Sequence, residues 1–209
     1  MLRSAIVSAA MAYSDRANDP ESVSIIDTMI SMVESRVNRA LLVMKSSSRA
    51  YVQITDITQE YYDLPTGFSS FRSIKISTTN DSTAKRTTLD YVQPSKMDDV
   101  VTNGLTGDYY TIIANKVHIR SQAVAVGSYI EYVSYADLTH LSSDSVTNWL
   151  ADSYPDCYIF GLTTELYAFA KDWESMNVWD KRFTDSLEEI DLQDDKLTWS
   201  GSPMATQVG

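Results

Sequence analysis

The sequence predicts an α+β protein. A helical bundle, residues 1–48 and 138–197, carries an inserted small antiparallel β-domain, residues 49–137, and an extended C-terminal tail, residues 198–209. Three patterns lead there. Apolar residues recur at steps of three and four in both terminal regions, which marks one buried face of a helix. Between those regions short runs alternate apolar and polar and are separated by turn residues. Beyond Lys196 all periodicity stops, the mark of an extended terminus.

Residues 2–15 predict a short first helix; their single arginine and serine-broken apolar run are too polar for a signal peptide. Asp19-Pro20-Glu21 is a helix start, with Asp as N-cap, Pro at the first helical position and Glu in the first turn. From there Val23, Ile26, Ile30, Val33, Val37, Leu41 and Met44 form a seam facing other helices, and Ser46-Ser47-Ser48 ends it.

Alternation then takes over at Tyr51–Thr55, Arg72–Ile76 and Lys116–Arg120. Leu64-Pro65-Thr66-Gly67, Thr79-Asn80-Asp81-Ser82, Asn103-Gly104 and Thr106-Gly107-Asp108 supply turns. Ala114-Asn115 reads as a hairpin tip, and Pro94–Val101 as a short helix.

Helices return near Ser145, with Ser142, Ser143 or Asp144 as the expected cap and a break at Tyr154-Pro155-Asp156. Past the break Tyr158, Leu162, Leu166, Phe169 and Trp173 fall on one apolar face, and Met176, Trp179, Phe183, Leu187 and Ile190 repeat the pattern. The face around Trp173 and Trp179 is expected in the core.

Little in the chain points to chemistry. His118, His140 and Cys157 are too few and too scattered to make a zinc site. His118, alternating with Val117 and Ile119, is expected on the polar face of its sheet, and Cys157 as a small buried hydrophobe. His140, Ser142 and Asp144 are neighbours in one loop, whereas a catalytic triad takes its geometry from distant elements. Asn103-Gly104-Leu105-Thr106-Gly107 lacks the lysine of a phosphate loop. Neither a metal nor a cofactor is expected.

With 44% hydrophobic residues the chain can bury a sizeable core, and no segment is apolar for the length of a bilayer. The net charge of −11 argues against wrapping a DNA backbone, which needs a basic stripe. The 13 tyrosines suit either the edges of β-structure or half-buried partner contacts. Asp185, Glu188, Glu189, Asp191, Asp194 and Asp195 interleave with Leu187, Ile190 and Leu192, as on a solvated helix face.

An ordered set of short words runs through residues 20–192. Glu34-Ser35-Arg36-Val37-Asn38-Arg39-Ala40-Leu41 comes first, then Asp63-Leu64-Pro65-Thr66-Gly67-Phe68, a hairpin over Tyr110–Ile119, and Tyr129–Tyr135. Leu141-Ser142, Trp149-Leu150, Tyr154-Pro155-Asp156, Tyr158-x-x-Gly161-x-x-x-Glu165 and Trp179 with Phe183 and Leu187 complete it. The set resembles the adaptor (head-to-tail connector) proteins of tailed bacteriophages. It departs from them after the hairpin, where Ser121-Gln122-Ala123 stands in place of a proline.

The resemblance implies a non-enzymatic virion protein, made in the host cytoplasm. It implies a dodecameric ring at the head–tail interface, docked under the portal protein, with tail or nozzle proteins below. DNA would pass through the channel without specific binding, and there would be no membrane contact. On that basis Tyr109, Tyr110 and Tyr129 are candidates for contact between subunits. Trp199, Pro203 and Met204 of the tail are candidates for portal docking, since tryptophan is enriched among binding hot spots. The acidic series is then either the solvated face or a repulsive channel lining. The alternative is a tail or baseplate module that recognises a protein or glycan through its β-domain.

Overall fold

The computed structural model describes residues 1–17, 19–81, 83–102 and 107–199. Among them are six helices and two small sheets, an α+β arrangement. The chain divides into a helical unit, residues 1–46 together with the chain from Asp137 onward, and a β unit, Ser47–Ala136.

In the helical unit, α1 is Arg3–Tyr13 and α2 is Pro20–Ala40. The Asp19 side chain accepts from the Glu21 N–H at 3.1 Å, so the expected cap forms. α2 stops earlier than the seam predicts. Leu41 turns extended, and Met44 falls in a 3-10 turn, Met44–Ser46, that leads directly into a strand. Leu41 and Val43 are still buried, because the extended chain lays them against the same core. α4 is Trp149–Ser153, α5 Pro155–Phe169 and α6 Trp173–Trp199.

α5 packs against α1, α2, α4 and α6. Its apolar residues spread around most of its circumference, as befits a helix surrounded by others. Ile30, Val33, Val37, Leu150, Tyr158, Leu162, Leu166 and Phe183 form the centre of the core.

A second break, after Phe169, has no glycine or proline to announce it. Lys171 takes a left-handed φ of +59°. The Asp172 N–H bonds Tyr167 O at 3.0 Å and the Lys171 N–H bonds Ala168 O at 3.0 Å, a Schellman closure. Asp172 then caps α6, accepting from the Ser175 N–H at 3.1 Å. The turn swings Trp173 outward to 59% exposure and Phe169 to 40%, so the apolar face expected there ends at Leu166. Trp179 is half-buried against Tyr13 and Phe160.

The β unit contains β1 Ser47–Gln53, β2 Tyr61–Asp63, β3 Phe68–Ser77, β4 Arg86–Thr88, β5 Asp90–Tyr91, α3 Pro94–Thr102, β6 Tyr109–Ile113, β7 Lys116–Arg120 and β8 Tyr129–Ala136. One sheet runs β1-β8-β3-β4 and the other β2-β7-β6-β5. The sheets are antiparallel as expected, apart from β5–β6, a short parallel pair reached through α3. Ala114, at φ +55°, turns the two-residue β6–β7 hairpin, and Gly67, at φ +71°, turns the chain into β3.

Ile54, Ile74, Ile76, Ile130 and Tyr132 join Tyr62, Val117 and Ile119 in a core shared by the two sheets. His118 is buried too, stacked on Tyr61 at 4.6 Å, so its sheet face is covered and not open to solvent as expected. The expected turn residues 103–106 and Ser82 lie outside the described residues, as do Pro203 and Met204.

Candidate functional site

The word Tyr158-x-x-Gly161-x-x-x-Glu165 occupies one stripe of α5, and its partners come from the Glu34–Val37 stretch of α2. Tyr158 Oη donates to Glu34 Oε1 at 2.9 Å, and the Leu141 N–H donates to the same oxygen at 2.9 Å. His140 Nδ1 lies 2.7 Å from Oε2. Asn148 Nδ2 donates to Tyr158 Oη at 2.8 Å and to Thr139 O at 2.7 Å, while its Oδ1 caps α4 by accepting from the Ala151 N–H at 3.0 Å. Asn148 is therefore the cap that Ser142, Ser143 or Asp144 was expected to be. Burial pushes the Tyr158 phenol well up, so it stays a neutral donor.

One turn on, a Cβ on Gly161 would stand 2.8 Å from Val33 Cγ1 and 3.1 Å from Phe183 Cε2. The glycine lets three helices close on one point. Two turns on, Arg36 reaches Asp180 at 2.6 Å and Glu165 at 3.8 Å, with its guanidinium 4.6 Å from the Phe183 ring centre. Burial raises the Glu165 carboxyl. The stripe fixes the loop before α4 and joins three helices. Among its polar groups the His140 ring is exposed, and its Nδ1 is engaged by Glu34.

A second feature lies on the outer face of the β1-β8-β3-β4 sheet. Register places Arg49 opposite Val133, Tyr51 and Lys75 on either side of Glu131, and Gln53 opposite Tyr129. Ile130 and Tyr132 point the other way, into the core. Glu131 is nonetheless only 1% exposed. Arg86 Nε holds Oε2 at 2.6 Å and Arg49 Nε approaches Oε1 at 3.4 Å. The Glu131 carboxylate, then the Tyr51 hydroxyl, hold the Arg86 guanidinium above its ordinary value. Ser47, Ser48, Arg49, Arg72, Ser73, Lys75 and Val133 line a shallow depression there. Two arginines thus hold one buried carboxylate, with Lys75 its neighbour by register and Arg72 farther along the same depression. Sequence reading missed the cluster; the signal was a lone Glu among apolar and aromatic residues in a strand.

The other expected site residues are placed as follows. Tyr109 and Tyr110 lie on β6 and Tyr129 on β8, in different sheets. Tyr110 packs edge-on to Phe71 and Tyr91 at 5.6 Å each, Tyr109 lies against Gly107, and Tyr129 meets Tyr51 at 6.5 Å. All three are half-buried, and they do not form one patch. Asp185, Glu188, Glu189, Asp191 and Asp195 are exposed on α6, Asp194 is half-buried, and Leu192 stands 58% exposed among them. α6 runs to Trp199, two residues into the expected extended tail.

Cys157 is buried and its thiol is pushed up to about 12, which removes it as a nucleophile. Among the described residues no group of three or more His, Cys, Asp or Glu side chains could hold a metal ion. No helix among them is long and apolar enough to cross a membrane.

No curated protein matches the chain. The family model described as SU10 adaptor protein matches residues 1–207. The chain therefore belongs to that family, a phage head–tail adaptor family.

Proposed function

Because the chain belongs to the SU10 adaptor protein family, we propose that it is a non-enzymatic structural protein of a bacteriophage virion. It docks as a homo-oligomeric ring beneath the portal, extends the DNA channel and joins head to tail components. The observation that carries this is the reach of the family match, residues 1–207, which takes in both units and the end of α6. Charge supports it. The helical unit holds 9 Lys and Arg against 19 Asp and Glu, a net −10. Such a surface repels phosphates and lets a duplex slide without sticking. Asp185 and Glu189, exposed on α6, are the candidate wall of that channel.

A ring requires a heterologous interface, two different patches of one chain meeting on neighbouring copies. Tyr109, Tyr110 and Tyr129 are candidates on the β unit. Portal docking falls to the segment around Trp199, Pro203 and Met204, tryptophan being enriched among binding hot spots.

The test uses DNA-filled heads that carry portal but lack adaptor. Added wild-type protein should form a ring on the portal, visible by negative-stain microscopy. A chain lacking residues 198–209 should remain folded yet fail to dock. Normal docking by the truncated chain would remove the tail from the interface, and no ring with wild type would overturn the adaptor role.

A further inference from the structure

We propose that the cationic outer face of the β1-β8-β3-β4 sheet receives the acidic, leucine-bearing face of α6 from a second copy of this chain. The inference rests on the ring reading above and names two patches that meet; of the tyrosines proposed there, Tyr129 lies on this sheet, and Tyr109 and Tyr110 lie on the other.

Three observations support it. The first is charge. The β unit holds 8 Lys and Arg against 9 Asp and Glu, so it is nearly neutral beside a helical unit at −10. Within the β unit, Arg49, Arg72, Lys75 and Arg86 share one face with Glu131 as its buried counter-charge. Arg72 and Lys75 make no ion pair among the described residues, and neither do Glu188, Asp191 and Asp195.

The second is spacing. Arg49 on β1 and Lys75 on β3 flank β8, two inter-strand steps across and two residues along, about 12 Å apart. Glu188 and Asp195 share a helix face seven residues apart, a rise of about 10 Å.

The third is the apolar centre of each patch. Leu192 is exposed midway between those carboxylates, and Val133 is half-buried midway between Arg49 and the cations of β3. Seating one on the other shields the ion pairs around them from water and salt, which strengthens their mutual attraction. A nucleic-acid backbone matches the cations but leaves the apolar centre unused, so the carboxylate helix is the better fit.

The experiment uses full-length chain at low ionic strength, with self-association followed by sedimentation velocity. A zero-length carbodiimide links carboxylates to lysine amines, and an equal mixture of 14N and 15N protein separates links between copies from links within one. We expect wild type to associate and Lys75 to be joined across copies to Glu188, Asp191 or Asp195. Salt near 1 M, where the screening length is ~3 Å, should dissolve the association. The variants R72E/K75E and E188K/D191K/D195K should each weaken it at least about tenfold. Mixing those two variants should restore it, because each then offers the complement the other lacks.

Links confined to one chain, a monomeric wild type, or reversed variants that associate like wild type would each overturn the proposal. So would loss of duplex-DNA binding by R72E/K75E with self-association intact, which assigns the face to phosphate. These outcomes are read without the portal, so portal docking by wild type can hold while this contact fails.

Discussion

Among the described residues each unit buries one carboxylate, and the two satisfy it in opposite ways. Glu34 in the helical unit accepts from neutral groups, the Tyr158 hydroxyl and the Leu141 N–H, with His140 alongside. Glu131 in the β unit is held by the guanidinium groups of Arg86 and Arg49. A carboxylate fed by neutral donors draws loops and helices toward itself, and its partners are spent inward. A carboxylate ringed by arginines compensates charge on a face that stays open, and it leaves Arg72 and Lys75 for something else. The helical unit therefore uses its buried acid for architecture. The β unit uses its own to build a surface.

The sharpest way to break the comparison is to remove each acid in turn. All four tryptophans, Trp149, Trp173, Trp179 and Trp199, lie in the helical unit, so tryptophan fluorescence reports that unit alone. Glu131→Ala takes the buried carboxylate from Arg86, at 24% exposure, and from Arg49, at 59%. It should cost about 3 kcal/mol, the low end for a broken buried pair, since Arg49 can reach water. Amide exchange in β1, β3 and β8 should quicken while the fluorescence midpoint in urea stays put. An equal shift of that midpoint would mean that the units unfold as one and that the contrast is only descriptive. Glu34→Ala should do the reverse. It leaves the Tyr158 hydroxyl and the Leu141 N–H short of a partner, costs about 2 kcal/mol, and moves the fluorescence midpoint. Tyr158→Phe is the milder form, about 1.5 kcal/mol, because Glu34 keeps Leu141 and Asn148 keeps Thr139.

The sequence was most legible where the local code and the tertiary environment agreed. Asp19-Pro20 announced α2, the alternation at 116–120 announced β7, and the words around Glu34 and Tyr158 belong to the two sides of one seam. It was least legible where a rule was broken by contacts from afar. Lys171 takes a left-handed turn that glycine usually marks, so the swing of Trp173 to the surface gave no sign. α2 ends at Ala40 without a stop residue, because Leu41 and Val43 reach the core from extended chain. Glu131 was missed because strand alternation assigns it to solvent, whereas Tyr51 and Lys75 flank it and arginines from β1 and β4 hold it. The tyrosines chosen for contact were legible as β residues, but alternation alone could not say that they fall in two sheets.

Gly161→Ala sharpens the account of the seam. The added methyl gains about 1 kcal/mol of helix propensity and meets Val33 at 2.8 Å and Phe183 at 3.1 Å. Overpacking of that kind costs about 1–3 kcal/mol, so a net loss of about 1 kcal/mol is expected in urea unfolding followed by tryptophan fluorescence. Combining it with Val33→Ala should cost less than the two changes summed, because they share one contact. Strict additivity would place the strain elsewhere.

The smallest effect expected concerns a third acid, one that is neither buried nor ringed by cations. Asp144 Oδ1 accepts from the Ser4 N–H at 2.7 Å, so a residue in the loop before α4 caps α1, 140 positions earlier in the chain. The Ser4 N–H, then the Ser4 hydroxyl and the Arg3 charge, hold the Asp144 carboxyl below its ordinary 3.8. A depressed carboxyl gives its full contribution above the unfolded value and loses it as pH falls through the folded one. α1 should therefore stay docked at pH 5 and loosen toward pH 3, with faster amide exchange in its first turn. Trp179 should respond as well, because its ring packs against Tyr13 at the other end of α1, at 5.1 Å. Asp144→Asn has no proton to gain in that window, so its α1 exchange should carry no such acid dependence from this position. If the acid loosening persists unchanged in Asp144→Asn, another carboxylate controls α1. Asp27, paired with Arg3, is then the group to change next.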